Sequence, residues 1–114
     1  MFELSDFDIT ITGSLYEDIA LHIDHHKTPL EEIENKLNEP CNMKFILLCC
    51  HWQKHKSRVF NVENLTNRQV CEKVYTFYKH KTYRRLMGDH IWLEGWFVPD
   101  PDAPNVFEAL MYGS

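Results

Sequence analysis

Asp6-Phe7-Asp8-Ile9-Thr10-Ile11-Thr12 alternates strictly, with Phe7, Ile9 and Ile11 on one side of an extended chain and Asp8, Thr10 and Thr12 on the other. A period of two predicts a half-buried strand. Gly13-Ser14 then supplies a turn, and Asp18 to Asp24 alternates again, so the pattern predicts a hairpin. A rival pattern overlaps it, because Ser14-Leu15-Tyr16-Glu17 fits a capping box and Leu15, Ile19 and Ile23 recur at helical spacing. On local signals the stretch 14–24 is strand or helix.

The period then changes. Thr28-Pro29-Leu30-Glu31 reads as a threonine N-cap, a proline at the first helical position and a glutamate closing the box; Leu30, Ile33 and Leu37 continue as an apolar stripe. This predicts a first helix over 29–38 that stops before Pro40. Lys44 to Trp52 is apolar on both faces, which marks a central strand. Gln53 to Ser57 reads as a polar, basic connection and Arg58 to Val62 as the hairpin partner. Thr66-Asn67-Arg68-Gln69 is a second capping box, and Val70, Cys71, Val74, Phe77 and Tyr78 fit one helical face, so a second helix is expected over 67–80.

Beyond it, 80–88 reads as a further helical turn closed by Gly88. Gly88 to Phe97 reads as a strand, with His90, Trp92, Glu94 and Trp96 on one face and Ile91, Leu93, Gly95 and Phe97 on the other. Gly95 signals a bulge or a close approach of another backbone. Three prolines within Pro99 to Pro104 require a loop, and Asn105 to Tyr112 fits a last strand or a short helix. The elements predict one α+β domain over 1–114: an antiparallel sheet of about five to six strands with two helices on one face, in the order ββαββαβ(β). If the first hairpin is a helix, the order collapses to the ferredoxin-like βαββαβ.

Composition adds a folded interior, since 44% of residues are hydrophobic and 13% aromatic. Cys41, Cys49, Cys50 and Cys71 are too few and too unevenly spaced for a disulfide scaffold, and read as thiols of a reducing compartment. Met1 to Asp6 lacks the basic and apolar regions of a signal peptide, and the longest apolar run, Phe45 to Cys50, is far short of the ~20 residues that span a bilayer. A cytoplasmic protein without a membrane partner is expected. The net charge of −5 hides three blocks: −8 over 1–39, +8 over 44–88 and −5 over 89–114. They imply a dipolar surface or segments that pack together and neutralise one another.

Candidate chemistry follows from these blocks. Cys49, Cys50, His51 and His55 form a local cluster that Cys41 or Cys71 could complete as a tetrahedral zinc site, although the paired Cys-x(2–4)-Cys spacing of structural zinc sites is missing. His22 of the expected second strand makes a His-x-x-His-His group with His25 and His26, but 24–27 reads as a polar turn leading into the Thr28 cap, and a metal there would need ligands such as Asp89, His90 or Glu94 from elsewhere. As a strand, four positions separate His90 and Glu94 by ~13 Å, too far to act on one small substrate atom. No nucleophile elbow, phosphate loop or dinucleotide fingerprint occurs, so a non-enzymatic protein with no cofactor is expected. Two basic-aromatic runs stand out: Trp52, Lys54, His55, Lys56 and Arg58, and then Tyr78, Lys79, His80, Lys81, Tyr83, Arg84 and Arg85. If 53–57 and 79–85 converge, they form a cationic, aromatic patch suited to phosphates or stacked bases.

Three functions are therefore expected in order. The first is an accessory or regulatory protein that works by protein association, including self-association, through Trp92 and Trp96. The second is nucleic-acid binding through Trp52, Lys54, Lys56, Arg58, Lys79, Lys81, Arg84 and Arg85. The third is zinc binding around Cys49, Cys50, His51 and His55.

Overall fold

The computed structural model describes residues 7–12, 20–25, 29–50, 53–80, 83, 85 and 92–112; at 7–12, 20–25, 30, 49, 50, 53–56, 92 and 112 it describes the backbone alone. The elements are β1 (Phe7–Thr12), β2 (Ala20–His25), α1 (Leu30–Asn38), β3 (Phe45–Cys50), β4 (Gln53–Asn61), α2 (Asn67–Lys79), β5 (Trp92–Phe97) and β6 (Val106–Tyr112). The strands form one mixed sheet in the order β2-β1-β5-β6-β3-β4.

β1 pairs antiparallel with β2, so the alternation after residue 18 sets the strand and the rival helical pattern does not form over Ala20–His25. The hairpin also excludes the ferredoxin-like order, which requires a helix between these two strands. An antiparallel sheet is expected throughout, and the structure corrects this: β6 pairs antiparallel with β5 but parallel with β3. The reason is the chain path. β6 returns from the Pro99 to Pro104 loop as the hairpin partner of β5 and enters the sheet beside β3, running in the same direction. In the loop, the Asp100 Oδ1 accepts from the Asp102 N–H at 2.9 Å, and the Asp100 carbonyl accepts from the Ala103 N–H at 2.9 Å. This side-chain turn replaces the ladder bonds that proline cannot make.

β4 also departs from expectation. The polar residues 53–57 belong to the strand and are no separate connection. β4 ends the sheet order, and an edge strand tolerates polar side chains because only one of its sides must pair. Cys50 pairs with Gln53.

The helices start differently. α1 begins at Leu30 with Pro29 as its N-cap and no side-chain cap bond, so the proline precedes the helix where the first helical position is expected. The expected Thr28 cap lies outside the described residues. α2 begins as its sequence predicts. The Gln69 N–H donates to Thr66 Oγ1 at 3.2 Å, and the Thr66 N–H donates to Gln69 Oε1 at 2.9 Å. Both halves of the box satisfy donors that the first helical turn leaves unpaired, a contribution of ~1 kcal/mol.

The two helices are tied where one ends and the other starts. Buried Asn67, 4% exposed, donates from Nδ2 to the Lys36 carbonyl at 2.8 Å, and its N–H donates to the Glu39 carbonyl at 2.9 Å. The Cys41 N–H donates to the Leu65 carbonyl at 2.9 Å. Glu34 pairs with Arg68, a half-exposed bridge worth at most about 1 kcal/mol, which joins the acidic first block to the basic second. Before α2, the chain reverses through Asn64 at φ 71, a left-handed conformation asparagine tolerates, while Asn61 Oδ1 accepts from the Glu63 N–H.

Among the described residues the core lies between the helices and one sheet face. Ile33 and Leu37 of α1 and Val70, Cys71, Val74, Tyr75, Phe77 and Tyr78 of α2 meet Ile46, Leu48, Leu93, Ala109 and Met111. The helical residues are those the periodicity selects, with Tyr75 added. Among the described residues the other sheet face is not covered in the same way. Phe45, Leu47, Val106 and Leu110 are half-buried there, and Val59 is 58% exposed. Parallel strand pairs usually carry cover on both faces, so an apolar open face beside the β3–β6 pair is unusual.

Candidate functional site

The site forms where α2 passes over the sheet edge at β4. On α2, Lys73, Thr76, Phe77 and His80 recur at i, i+3, i+4 and i+7, a single helical stripe. On β4, Leu48 pairs with Arg58 and Ile46 with Phe60. Leu48 and Ile46 face the helices, so Arg58 and Phe60 share that side and project toward the α2 stripe. Between stripe and strand lies an open cleft of about 400 Å³ that also includes Tyr83.

Aromatic rings make up the apolar part of its wall. Phe60 meets Phe77 edge-on at 6.0 Å, and Phe77 stacks with Tyr83 at 4.2 Å and 24°. His80 stands across Tyr83 at 5.6 Å and 60°. Cations enter from both walls. Lys73 Nζ lies 5.1 Å from the Phe60 ring centroid, close enough for a cation–π attraction, and Arg58 is exposed on the strand. No carboxylate lines the cleft among the described residues. An arrangement with positive charge, a hydroxyl, an imidazole and an apolar aromatic wall can hold a planar or apolar group beside an anionic one.

The predicted basic-aromatic residues are only partly brought together. Arg58 lines the cleft, Lys79 is half-buried in the last turn of α2, and Arg85 is exposed. For Lys54 and Lys56 the backbone alone is described, and Trp52, Lys81 and Arg84 lie outside the described residues. Sequence reasoning missed Lys73, Thr76 and Phe60. The signal was available in the stripe from Lys73 to His80, but which face of α2 lies against β4 becomes visible only when the chain is folded.

Trp92 and Trp96 do not form the single face that even alternation predicts. A bulge interrupts the β5–β6 register between Leu93 and Gly95, so position 92 pairs with Tyr112 while position 96 pairs with Ala109. One extra residue reverses the alternation between them. Trp96 therefore packs partly against the core with Ala109, and its buried indole Nε1 finds no acceptor among the described residues. Gly95 thus marks a bulge, but no close backbone approach requires it, since an added Cβ would meet no atom within 4 Å.

The metal reading loses one ligand. Cys71 is fully buried in the core, and burial, outweighing the opposing Arg68 charge, pushes its thiol up to about 12. A thiol held protonated is the reverse of a metal-binding thiolate. Cys41 donates from Sγ to the Val62 carbonyl at 3.3 Å. The side chains of Cys49, Cys50 and His55 are not described, and His51 lies outside the described residues. Among the described residues no three candidate ligands come together.

No family model, no curated protein and no solved structure matches the chain. Fold and cleft geometry are therefore the grounds for function: an α+β domain with a mixed sheet, two helices and a basic, aromatic cleft at its edge. No helix among the described residues is long and apolar enough to cross a membrane.

Proposed function

We propose that this is a non-enzymatic, cytoplasmic binding protein that takes a phosphate-bearing ligand into the cleft between β4 and α2. The observation that carries this reading is the convergence of Arg58 and Lys73 from opposite walls onto an aromatic surface with no lining carboxylate among the described residues. Each hydrogen bond to a charged group contributes ~1.5–3 kcal/mol, so two such contacts suffice for selective retention of an anion. Titration of the protein with inorganic tripolyphosphate tests it. Binding should weaken with salt, and the Arg58→Ala/Lys73→Ala double variant should lose affinity at least tenfold. The equally charged control Lys36→Ala/Lys44→Ala should bind as the parent does. Equal losses in both variants, or no binding at millimolar concentration, would sink the proposal.

Protein association is a second reading, and it now rests on the open sheet face in place of a shared tryptophan face. Leu47, Val59 and Leu110 expose apolar surface beside the parallel pair, and Phe97 is 36% exposed at the same side of the sheet. A second copy placed face to face would cover this surface at the ~10 Å spacing of packed sheets. Sedimentation velocity over a wide concentration range should show a dimer that Leu47→Lys/Val59→Lys converts to monomer. A parent protein that stays monomeric at the highest concentration removes this reading.

A further inference from the structure

We infer that the cleft recognises one nucleotide unit, with the phosphate held between Arg58 and Lys73 and the planar base laid against the Tyr83 side of the aromatic wall. The inference rests on the anion-binding reading and adds the ligand's identity. The cleft's size and its mixed lining narrow the class. The cleft volume of about 400 Å³ lies at the lower end of the range for small-molecule sites, so it admits a single unit and no duplex. A bare inorganic anion would use the cations and leave the rings unemployed. An acidic peptide would bring carboxylates but no planar group. A nucleotide has both parts, and base stacking on aromatic side chains tolerates every base because each has a π-face.

The rings are arranged for stacking. Phe77 is 8% exposed and spends one face on Tyr83, which fixes the Tyr83 plane from beneath. Tyr83 itself is only half-buried, so it forms the accessible end of the stack. His80, set at 60° to it, closes one side. Thr76, exposed on the stripe between Lys73 and His80, supplies a hydroxyl toward sugar or phosphate. Two sources carry this same chemistry, a free nucleotide or one residue of a single strand, and the β4 edge leaves the cleft open to either.

The test compares four probes on the intact protein: inorganic tripolyphosphate, uridine monophosphate, a fluorescein-labelled single-stranded octanucleotide and the duplex of the same sequence. The nucleotide or the octamer should respond to Tyr83→Leu with about a tenfold loss, the magnitude of one lost stacked base, while tripolyphosphate binding stays unchanged. Tyr83→Phe should restore the parent affinity, which separates stacking from any loss of folding. For the single strand, the slope of log affinity against log salt should fall by about 0.7 for each of Arg58→Ala and Lys73→Ala. A response of both uridine monophosphate and octamer supports the free nucleotide as source, and a response of the octamer alone supports the strand. If tripolyphosphate binds but Tyr83→Leu weakens no nucleotide probe, or if the duplex binds as well as the octamer, the nucleotide assignment falls and the anion-binding reading stands. If no probe binds, both fall.

Discussion

Ile46→Ala should destabilise the protein by ~2–5 kcal/mol, whereas Leu47→Ala, one residue on, should cost less than about 1 kcal/mol. Ile46 is fully buried and sits in register between Phe60 on β4 and Phe107 on β6, under the helices. Truncating it removes apolar contact and leaves a cavity in a packed interior that relaxes only in part. Leu47 stands on the opposite side of the same strand, between Val59 and Glu108, and is only half-buried. Its truncation removes little that the folded state hides from water. Urea unfolding of both variants measures the contrast. Equal losses would show that the open face is covered as fully as the helix face. Domain stability is typically 5–15 kcal/mol, so the Ile46 loss alone is a large fraction of it.

The second large effect lies at Cys71. Burial in the core is the main cause that raises its thiol from 9.0 to about 12; Glu72 adds to this and the Arg68 charge opposes it. In the unfolded chain the thiol meets water and ionises at its ordinary value. Between these values the folded state binds a proton that the unfolded state has lost, so rising pH favours unfolding. The contribution is complete below pH 9 and is lost at about 1.4 kcal/mol per pH unit above it, a loss of about 4 kcal/mol by pH 12. Cys71→Ala removes the titrating group. Its stability relative to the parent, measured by chemical denaturation, should therefore improve steadily as pH is raised from 9 to 11. A constant difference over that range would show that the thiol ionises in the fold as it does in water. In the native protein near neutral pH, iodoacetamide should leave Cys71 unmodified, because the thiolate is the reactive form and the site is closed to reagent.

Both predictions depend on which side of each element faces inward, and the sequence carries this unevenly. For α2 it carries nearly everything. Thr66 and Gln69 are three residues apart and meet within one turn, and the apolar period from Val70 to Tyr78 selects one face regardless of partner. The same holds for β1, where Phe7, Ile9 and Ile11 alternate and a neighbouring hairpin strand needs no distant contact. For β3 the pattern marks a central strand but is silent on sidedness, since Ile46 and Leu47 are equally apolar. Only the placement of both helices on one face distinguishes them. In β5 the pattern misleads. His90, Trp92, Glu94 and Trp96 alternate evenly, yet a single bulge at the Gly95 step takes position 96 to the other side from position 92.

The cleft shows the same division. Apart from His80 and Tyr83, which follow α2, its residues come from two elements separated by the turn at Asn64, and each set is periodic in its own way: every second residue on β4, every third or fourth on α2. The basic-aromatic character of both segments was legible because charge and ring content are local properties. Lys73 was not singled out, because its neighbour across space is Phe60, thirteen positions earlier, and no local spacing links them.

By itself the sequence determined the class of the fold, the position of α2 with its cap, the strand character of β1, β3 and β5, and a basic middle between acidic flanks. These follow from period, turn chemistry and charge, which act over a few residues. Tertiary structure alone decided the parallel pairing of β3 with β6, the strand conformation of 106–112, the open apolar face, the bulge that puts positions 92 and 96 on opposite sides and the placing of Arg58 and Lys73 around one cleft. Each of these depends on contacts between segments far apart in the chain, where pairing and burial outweigh the weaker local preferences.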